Sequence, residues 1–247
     1  MARHALLNNV AHKNLKVITR FGAQFGDNIG TVLAFPTEFG DIQREYPIFF
    51  RKDPQTNEYM AVALLGLQKD ENLFLEGDRW DASYIPGIVA KGPFLIGFQE
   101  RSEGGEMKRE PMFHVDLDSP RVSETEGEPV FLEMGGNSRY LEQVATILGG
   151  INDGIAAMKD MAALLTKYDL IEPVNLEIKL DAQERYDVVG LHTISDEKLR
   201  NLGPEAVFEL HRSGFLGAAH LVMSSLNNVR RLIDRKRRRK AQAASAS

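Results

Sequence analysis

The chain has no cysteine. Disulfides, zinc–thiolate centres and thiol nucleophiles are therefore excluded, and the composition fits a reducing compartment. Long apolar runs are missing too. Stretches such as Ala61–Leu67 fall far short of the ~20 residues that cross a bilayer as a helix. The segment Met1–Arg20 holds His4, Lys13, Lys16 and several asparagines without an unbroken apolar core, so no signal peptide is expected and the expected location is cytoplasmic. Phosphate-loop chemistry has little support. Gly149, Gly150 and Gly154 sit inside a helical pattern rather than between a strand and a helix, and no G-x-S-x-G nucleophile motif occurs. There is no internal repeat, and only one tryptophan, Trp80.

At 247 residues the chain has ample length for a core, as one large domain or two small ones. Its net charge of −5 is unevenly spread. Arg230–Lys240 holds eight basic residues and one acidic residue, a local +7, so the remainder carries −12. An acidic body with a basic end is not a general nucleic-acid-binding surface.

The organisation centres on residues 45–98. Tyr46-Pro-Ile-Phe-Phe is aromatic and β-branched, Lys52–Glu58 reads as a turn, and Tyr59–Gln68 is apolar again, which predicts a strand, a long connection and a second strand. Asn72–Leu75 predicts a third short strand, Glu76-Gly77-Asp78 a turn, and Phe94–Phe98 a last strand. Trp80 and Tyr84 combine a large apolar area with a polar tip and suit the edge of a core.

The set YPIFF, ALLGL, ENLF, GDRWDASYIP and PFLIGF, in this order and continued by Ser119-Pro-Arg and Ser224-Ser-Leu, resembles the bacterial SapC family over nearly the whole chain. The resemblance implies membership and a link to bacterial surface layers. It implies no catalytic residues. A transmembrane peptide-transporter permease that carries the same letters is a different protein, and the lack of a spanning segment separates the two.

Elsewhere, Leu15–Ile18 and Ile29–Phe35 predict strands, and Thr37–Glu45 a short helix capped by Thr37. Glu100–Glu110 reads as a loop or hairpin tip, Phe113–Leu117 as a strand and Val130–Glu133 as a short strand. Leu141, Val144, Leu148, Ile151, Ile155, Met158, Ala162 and Leu165 alternate spacings of three and four, the seam of a long helix with Asn137 or Ser138 as its cap. The glycines at its middle each weaken it by up to ~1 kcal/mol against alanine. A kink, a split into two helices, or close approach by another element would each account for them. Val174–Leu180 and Tyr186–Ile194 predict a hairpin. Pro204 opens a helix that Gly214 ends, and Val222, Leu226, Val229 and Ile233 form the stripe of one final amphipathic helix. The expected class is α+β: a β-rich N-terminal half (15–135) and a mainly helical C-terminal part (136–236) with one β-hairpin. Together they make a single domain over 1–236, followed by a basic, disordered tail at 237–247.

Two clusters are candidate sites. Asp78, Arg79, Trp80, Asp81 and Tyr84 place two carboxylates and an arginine beside aromatics, a combination that can line a ligand pocket; the plainer reading is a charged turn pinned by a buried tryptophan. His114 and Asp116, spaced His-x-Asp on a strand, with His192 on another strand, have the make-up of the facial triad of an oxygenase using Fe(II) and 2-oxoglutarate; here the plainer reading is the wet face of an edge strand. Glu124, Glu126 and Glu128 form an acidic loop, read as solvated. The basic run Arg230–Lys240 can touch anionic lipid or nucleic-acid phosphates, or simply complement the negative end of the last helix. Removing 235–247 is expected to leave folding intact. The preferred expectation is a soluble, non-catalytic binding or accessory protein with no cofactor, whose partner is a protein or a small molecule.

Overall fold

The structure, a computed structural model, describes residues 3–103, 106–181 and 184–245. Glycine and proline break the first half of the chain into short strands. In order these are β1 (His4–Leu6), β2 (Lys16–Val17), β3 (Thr31–Leu33), the helical turn α1 (Phe39–Ile42), β4 (Ile48–Lys52), β5 (Tyr59–Leu64), β6 (Leu75–Glu76), β7 (Arg79–Trp80) and the helical turn α2 (Gly87–Ala90). The longer β8 (Phe94–Glu103) and β9 (Glu106–Asp116) follow, then β10 (Val122–Ser123) and β11 (Glu128–Pro129). The rest is mainly helical: α3 (Arg139–Lys167), the hairpin β12 (Ile171–Lys179) and β13 (Arg185–Ile194), then α4 (Asp196–Arg200), α5 (Pro204–Arg212), α6 (Phe215–Ser225) and α7 (Asn228–Ser245). The α+β class is as expected.

The chain divides into two compact units. Unit 1 comprises Met1–Asp27, Gly77–Arg79 and Gly87–Asn152. Unit 2 comprises Asn28–Glu76, Trp80–Pro86 and Asp153–Ser247.

In unit 1, β1, β9 and β8 form an antiparallel sheet in that order, and β10, β2 and β11 form a second. Alternation along the strands sends Phe94 and Val115 into a core with Leu15, Val17 and Val130, closed by Leu141, Val144 and Leu148 of α3. Gln99↔Glu110 and the pairs beyond continue the β8–β9 ladder into the stretch read as a loop or hairpin tip, and residues 104–105 lie outside the described residues. In place of the strand expected at Val130–Glu133 there is a lone bridge between Phe131 and Asn137.

Unit 2 is built on a five-stranded antiparallel sheet in the order β12-β13-β4-β5-β3. The β4–β5 hairpin is the one its alternation predicts, with Phe50 opposite Ala61 and Lys52 opposite Tyr59. Tyr46, Phe35, Phe39, Phe49, Phe50 and Phe74 are fully buried. Glu38, rather than Thr37, closes the turn before α1: its Oε1 accepts the Phe35 amide at 3.1 Å.

The helical layer shows where periodicity misleads. α3 is one continuous helix, with Ser138 Oγ accepting the Leu141 amide at 3.1 Å as its cap. Ile155, expected in the seam, is 52% exposed. Gly154 is buried in its place, because the Phe35 side chain crosses there: a Cβ on Gly154 would stand 2.5 Å from Phe35 Cβ. The single final helix expected is two, α6 and α7. The break at Leu226 and Asn227 turns Asn228 inward, where its Nδ2 donates to the carbonyls of Gln43 (2.7 Å) and Tyr46 (3.2 Å).

Candidate functional site

The residues of the expected pocket at Asp78–Tyr84 are divided between the two units. Asp78 and Arg79 are exposed and belong to unit 1, whereas Trp80, Asp81 and Tyr84 belong to unit 2. In unit 2 their polar groups are taken up by the protein itself. Trp80 Nε1 donates to Tyr46 Oη at 2.7 Å, and Tyr46 Oη donates to the Tyr84 carbonyl at 2.5 Å. Tyr84 Oη donates to the buried Glu38 at 2.7 Å. Burial raises the pKa of Tyr46 and Tyr84 well above the ordinary tyrosine value, so both hydroxyls stay protonated as donors. Asp81 receives Arg235 of α7 in a salt bridge, and Arg235 also donates to the Asp81 carbonyl at 2.7 Å.

The basic run is the second surprise. Against the disordered tail expected at 237–247, α7 continues through Ser245, and residues 246–247 lie outside the described residues. Its polar contacts with the rest of unit 2 are made by charged side chains. Arg231 donates to the Arg44 carbonyl (2.8 Å), Lys236 pairs with Glu71 (2.5 Å), and Arg239 donates to the carbonyls of Asn72 (2.9 Å) and Leu75 (2.6 Å). Lys240 bridges Asp181 (2.7 Å) and Glu184 (2.5 Å), while the Arg235 guanidinium lies 4.3 Å from the Phe74 ring centroid. Leu232 is buried beneath the helix, and the guanidinium and ammonium groups presented to carbonyls and carboxylates add to it, because charge-assisted hydrogen bonds are the strong ones. Arg230, Arg237 and Arg238 remain on the exposed side.

The members of the expected triad are also distributed. His114 and Asp116 share one face of the unit 1 sheet, since a strand alternates with a period of two. The residue opposite Asp116 is His4, and His114 lies over Gly97, whose added Cβ would sit 3.1 Å from the ring. His192 belongs to unit 2, opposite Phe50 and edge-on to Tyr59 with ring centroids 5.1 Å apart. Its pKa is lowered by burial and by the Lys52 ammonium, and its Nδ1 is buried without a hydrogen-bond partner. Among the described residues, no three His, Asp or Glu side chains stand where they could hold one metal ion.

What the candidate residues missed lies in unit 1. A cavity of about 470 Å³ opens beside the Asn8–Asn14 turn, lined by Arg3, His12, Lys13, Asn14, Leu15 and Glu124 among others. Asn8 builds the turn: its Oδ1 accepts the amides of Val10 (3.2 Å) and Ala11 (2.7 Å). His12 Nδ1 accepts the Asn8 amide at 3.2 Å, which leaves the proton on Nε2 in the neutral ring. Arg3 is held from the other side by Asp118, which accepts its amide at 3.0 Å. The signal was present in the sequence as a local charge asymmetry. Residues before Asp27 include Arg3, His4, His12, Lys13, Lys16 and Arg20 but no acidic residue, in a chain whose net charge is negative.

Unit 1 also holds its one deeply buried ion pair among the described residues. Arg121 Nη2 donates to both oxygens of Asp27 at 2.7 and 2.6 Å, and Nη1 donates to the carbonyls of Ile18 (3.0 Å) and Arg20 (2.8 Å). Phe21 and Phe25 flank the guanidinium at 5.5 and 5.0 Å. Burial pushes the nearby Tyr140 hydroxyl up to about 12.

What the cavity can do chemically is hold a ligand by charge and hydrogen bonds against an apolar floor, in an α+β protein. The SapC family profile matches residues 7–232, and the chain belongs to the SapC family. No curated protein and no solved structure matches it. Among the described residues, no helix is long and apolar enough to cross a membrane.

Proposed function

We propose that this SapC-family chain is a non-catalytic binding or accessory protein of bacterial surface-layer or envelope processes, working from the cytoplasmic side. The observation that carries the reading is the unit 1 cavity, where a guanidinium, an imidazole, an ammonium and a carboxylate stand around an apolar floor that includes Leu15. A few placed polar groups over apolar walls is how a site orients a ligand without transforming it. Family membership supplies the link to the surface layer. The ligands in view are envelope components such as peptidoglycan fragments or the surface-layer protein itself. A ligand that binds only the folded state raises its stability by about 2.7 kcal/mol at a hundred times its Kd. Thermal unfolding in the presence of such components tests the reading: a saturable upward shift that disappears in R3A/K13A supports it. Stabilisation by Fe(II) with 2-oxoglutarate, abolished by H114A, would replace it with the oxygenase reading.

A further inference from the structure

We infer that the unit 1 cavity takes a short peptide with free ends. Its terminal carboxylate lies on Lys13 and the His12 Nε2–H, its terminal ammonium on Glu124, and an apolar side chain on the floor. The inference deepens the proposed function by naming the ligand class, and rests on its reading of this cavity as the binding site. Charge at the cavity is balanced rather than one-sided. Arg3 is already offset by Asp118, with Nε 3.7 Å from Oδ1. The neutral His12 ring adds no charge. What is left is one ammonium, Lys13, and one carboxylate, Glu124. Both line the cavity, yet they form no ion pair with each other. Among the described residues, neither side chain has another hydrogen-bond or ion-pair partner.

These groups are fixed by their surroundings. His12 is tied at ring and backbone: its Nδ1 accepts the Asn8 amide, its own amide donates to the Asn8 carbonyl at 3.1 Å, and its carbonyl accepts the Leu15 amide at 3.0 Å. That leaves the Nε2–H to donate. Glu124 arrives from another segment. β10 runs antiparallel to β2 with Ser123 opposite Lys16, so Glu124 follows where the ladder ends, on the side of Leu15. Ser123 Oγ accepts the amides of Thr125 (3.2 Å) and Glu126 (3.1 Å), which fixes the turn that carries Glu124. Leu15, Leu117 and Val122 supply apolar surface in the same cavity.

Other ligand classes fit less well. A simple anion meets Glu124, and a simple cation meets Lys13. A wholly apolar ligand would strip water from both charges and return no hydrogen bond. A ligand that carries an ammonium and a carboxylate pairs both through charge-assisted hydrogen bonds. Size agrees. The cavity of about 470 Å³ lies in the lower part of the range of roughly 300–1,000 Å³ for small-molecule pockets, which suits a ligand of about two or three residues rather than a folded partner.

Isothermal titration calorimetry of the full chain tests this, with alanyl-leucine and leucyl-alanyl-leucine as probes, each with free ends, N-acetylated or C-amidated. A free-ended peptide should bind saturably, and more weakly at high salt. Acetylation and amidation should each weaken binding by about tenfold. In E124Q the acetylated and free peptides should bind alike, and in K13Q the amidated and free peptides should. Lys13 and Glu124 are exposed, so both variants should keep the unfolding midpoint of the parent. The inference is overturned if neither free-ended peptide binds, if blocking the ends makes no difference, or if both variants still discriminate free from blocked ends. The proposed function survives each of these results wherever an envelope component gives a stabilisation that R3A/K13A removes, and falls with the inference where none does.

Discussion

The two units use positive charge in opposite ways. In unit 2, five of the basic side chains of α7 each end on a carbonyl or carboxylate of the same unit: Arg231, Arg235, Lys236, Arg239 and Lys240. In unit 1 the Arg121 guanidinium is committed to the interior, while Arg3, His12 and Lys13 line a cavity. The same residue types thus bind a helix in one unit and face outward in the other. Net charge along the sequence does not separate these roles. The densest basic run in the chain is mostly consumed internally, and the sparser one is turned to solvent.

The sharpest test of that contrast is Arg121. Its side chain and that of Asp27 are 8% and 6% exposed. Truncating one partner leaves a buried charge uncompensated, at a cost of about 3–5 kcal/mol, whereas replacing both by apolar groups costs much less. R121A should therefore lower the urea midpoint strongly, and D27L/R121M should recover part of the loss. Equal losses in the two variants would mean that Arg121 acts mainly through the Ile18 and Arg20 carbonyls.

The next effect belongs to α7. Arg235 and Arg239 together satisfy three carbonyls and one carboxylate. Hydrogen bonds to charged groups contribute about 1.5–3 kcal/mol each in favourable cases, less where water competes. R235A/R239A should cost about 2–4 kcal/mol, read from chemical denaturation. Deleting 235–247 should cost at least as much, contrary to the expectation from sequence that it would leave folding intact. An unchanged midpoint in both variants would return the second half of α7 to the solvated tail that composition suggests.

Much of the fold could be read from local pattern. The β4–β5 hairpin follows from its alternation, the start of α3 from Ser138, and the start of α5 from Pro204. What could not be read depends on partners remote in sequence. Arg121 and Asp27 are 94 residues apart, and nothing in either neighbourhood announces the pair. Ile155 fits the seam arithmetically, but an ideal helix drifts against a strict 3.5-residue repeat, and a glycine let Phe35 take the space. α6 and α7 look like one helix because Asn228 is silent until the carbonyls of Gln43 and Tyr46 are placed beside it. The surroundings of the candidate site residues were hidden in the same way. Trp80, Asp81 and Tyr84 have the chemistry of a pocket, and their hydrogen bonds show the chemistry directed inward.

The glycines of α3 give a smaller effect with opposite signs. A Cβ placed on Gly149 would have nothing within 4 Å, so G149A should gain up to ~1 kcal/mol of helix propensity. Gly154 gains the same propensity but forces Phe35 and Thr37 aside, with Thr37 Oγ1 only 2.8 Å from the added atom. Overpacking of that kind costs about 1–3 kcal/mol, so G154A should be net destabilising. If both variants are stabilised, Phe35 yields more easily than its full burial implies.

The smallest effect is a pH dependence carried by His192 in unit 2. Its folded-state pKa lies below the ordinary 6.5, because burial disfavours the imidazolium and the Lys52 ammonium repels it. As pH falls below 6.5 the unfolded chain therefore takes up this proton before the folded protein does. The unfolded state binds more protons throughout that window, so stability is full above it and declines as pH falls towards the depressed folded value. The ring is only partly buried, so the slope should be a fraction of the roughly 1.4 kcal/mol per pH unit that one group can supply. Urea unfolding between about pH 5 and 7.5, comparing the parent with H192Q, isolates the contribution. Burial lowers the His192 pKa most, Lys52 adds to that and a hydrogen bond with the Phe50 backbone opposes it, so K52Q should shrink the slope without removing it. A parent whose stability rises on acidification relative to H192Q would mean that the imidazolium is welcomed in the fold, and that a carboxylate rather than Lys52 governs this edge of the sheet.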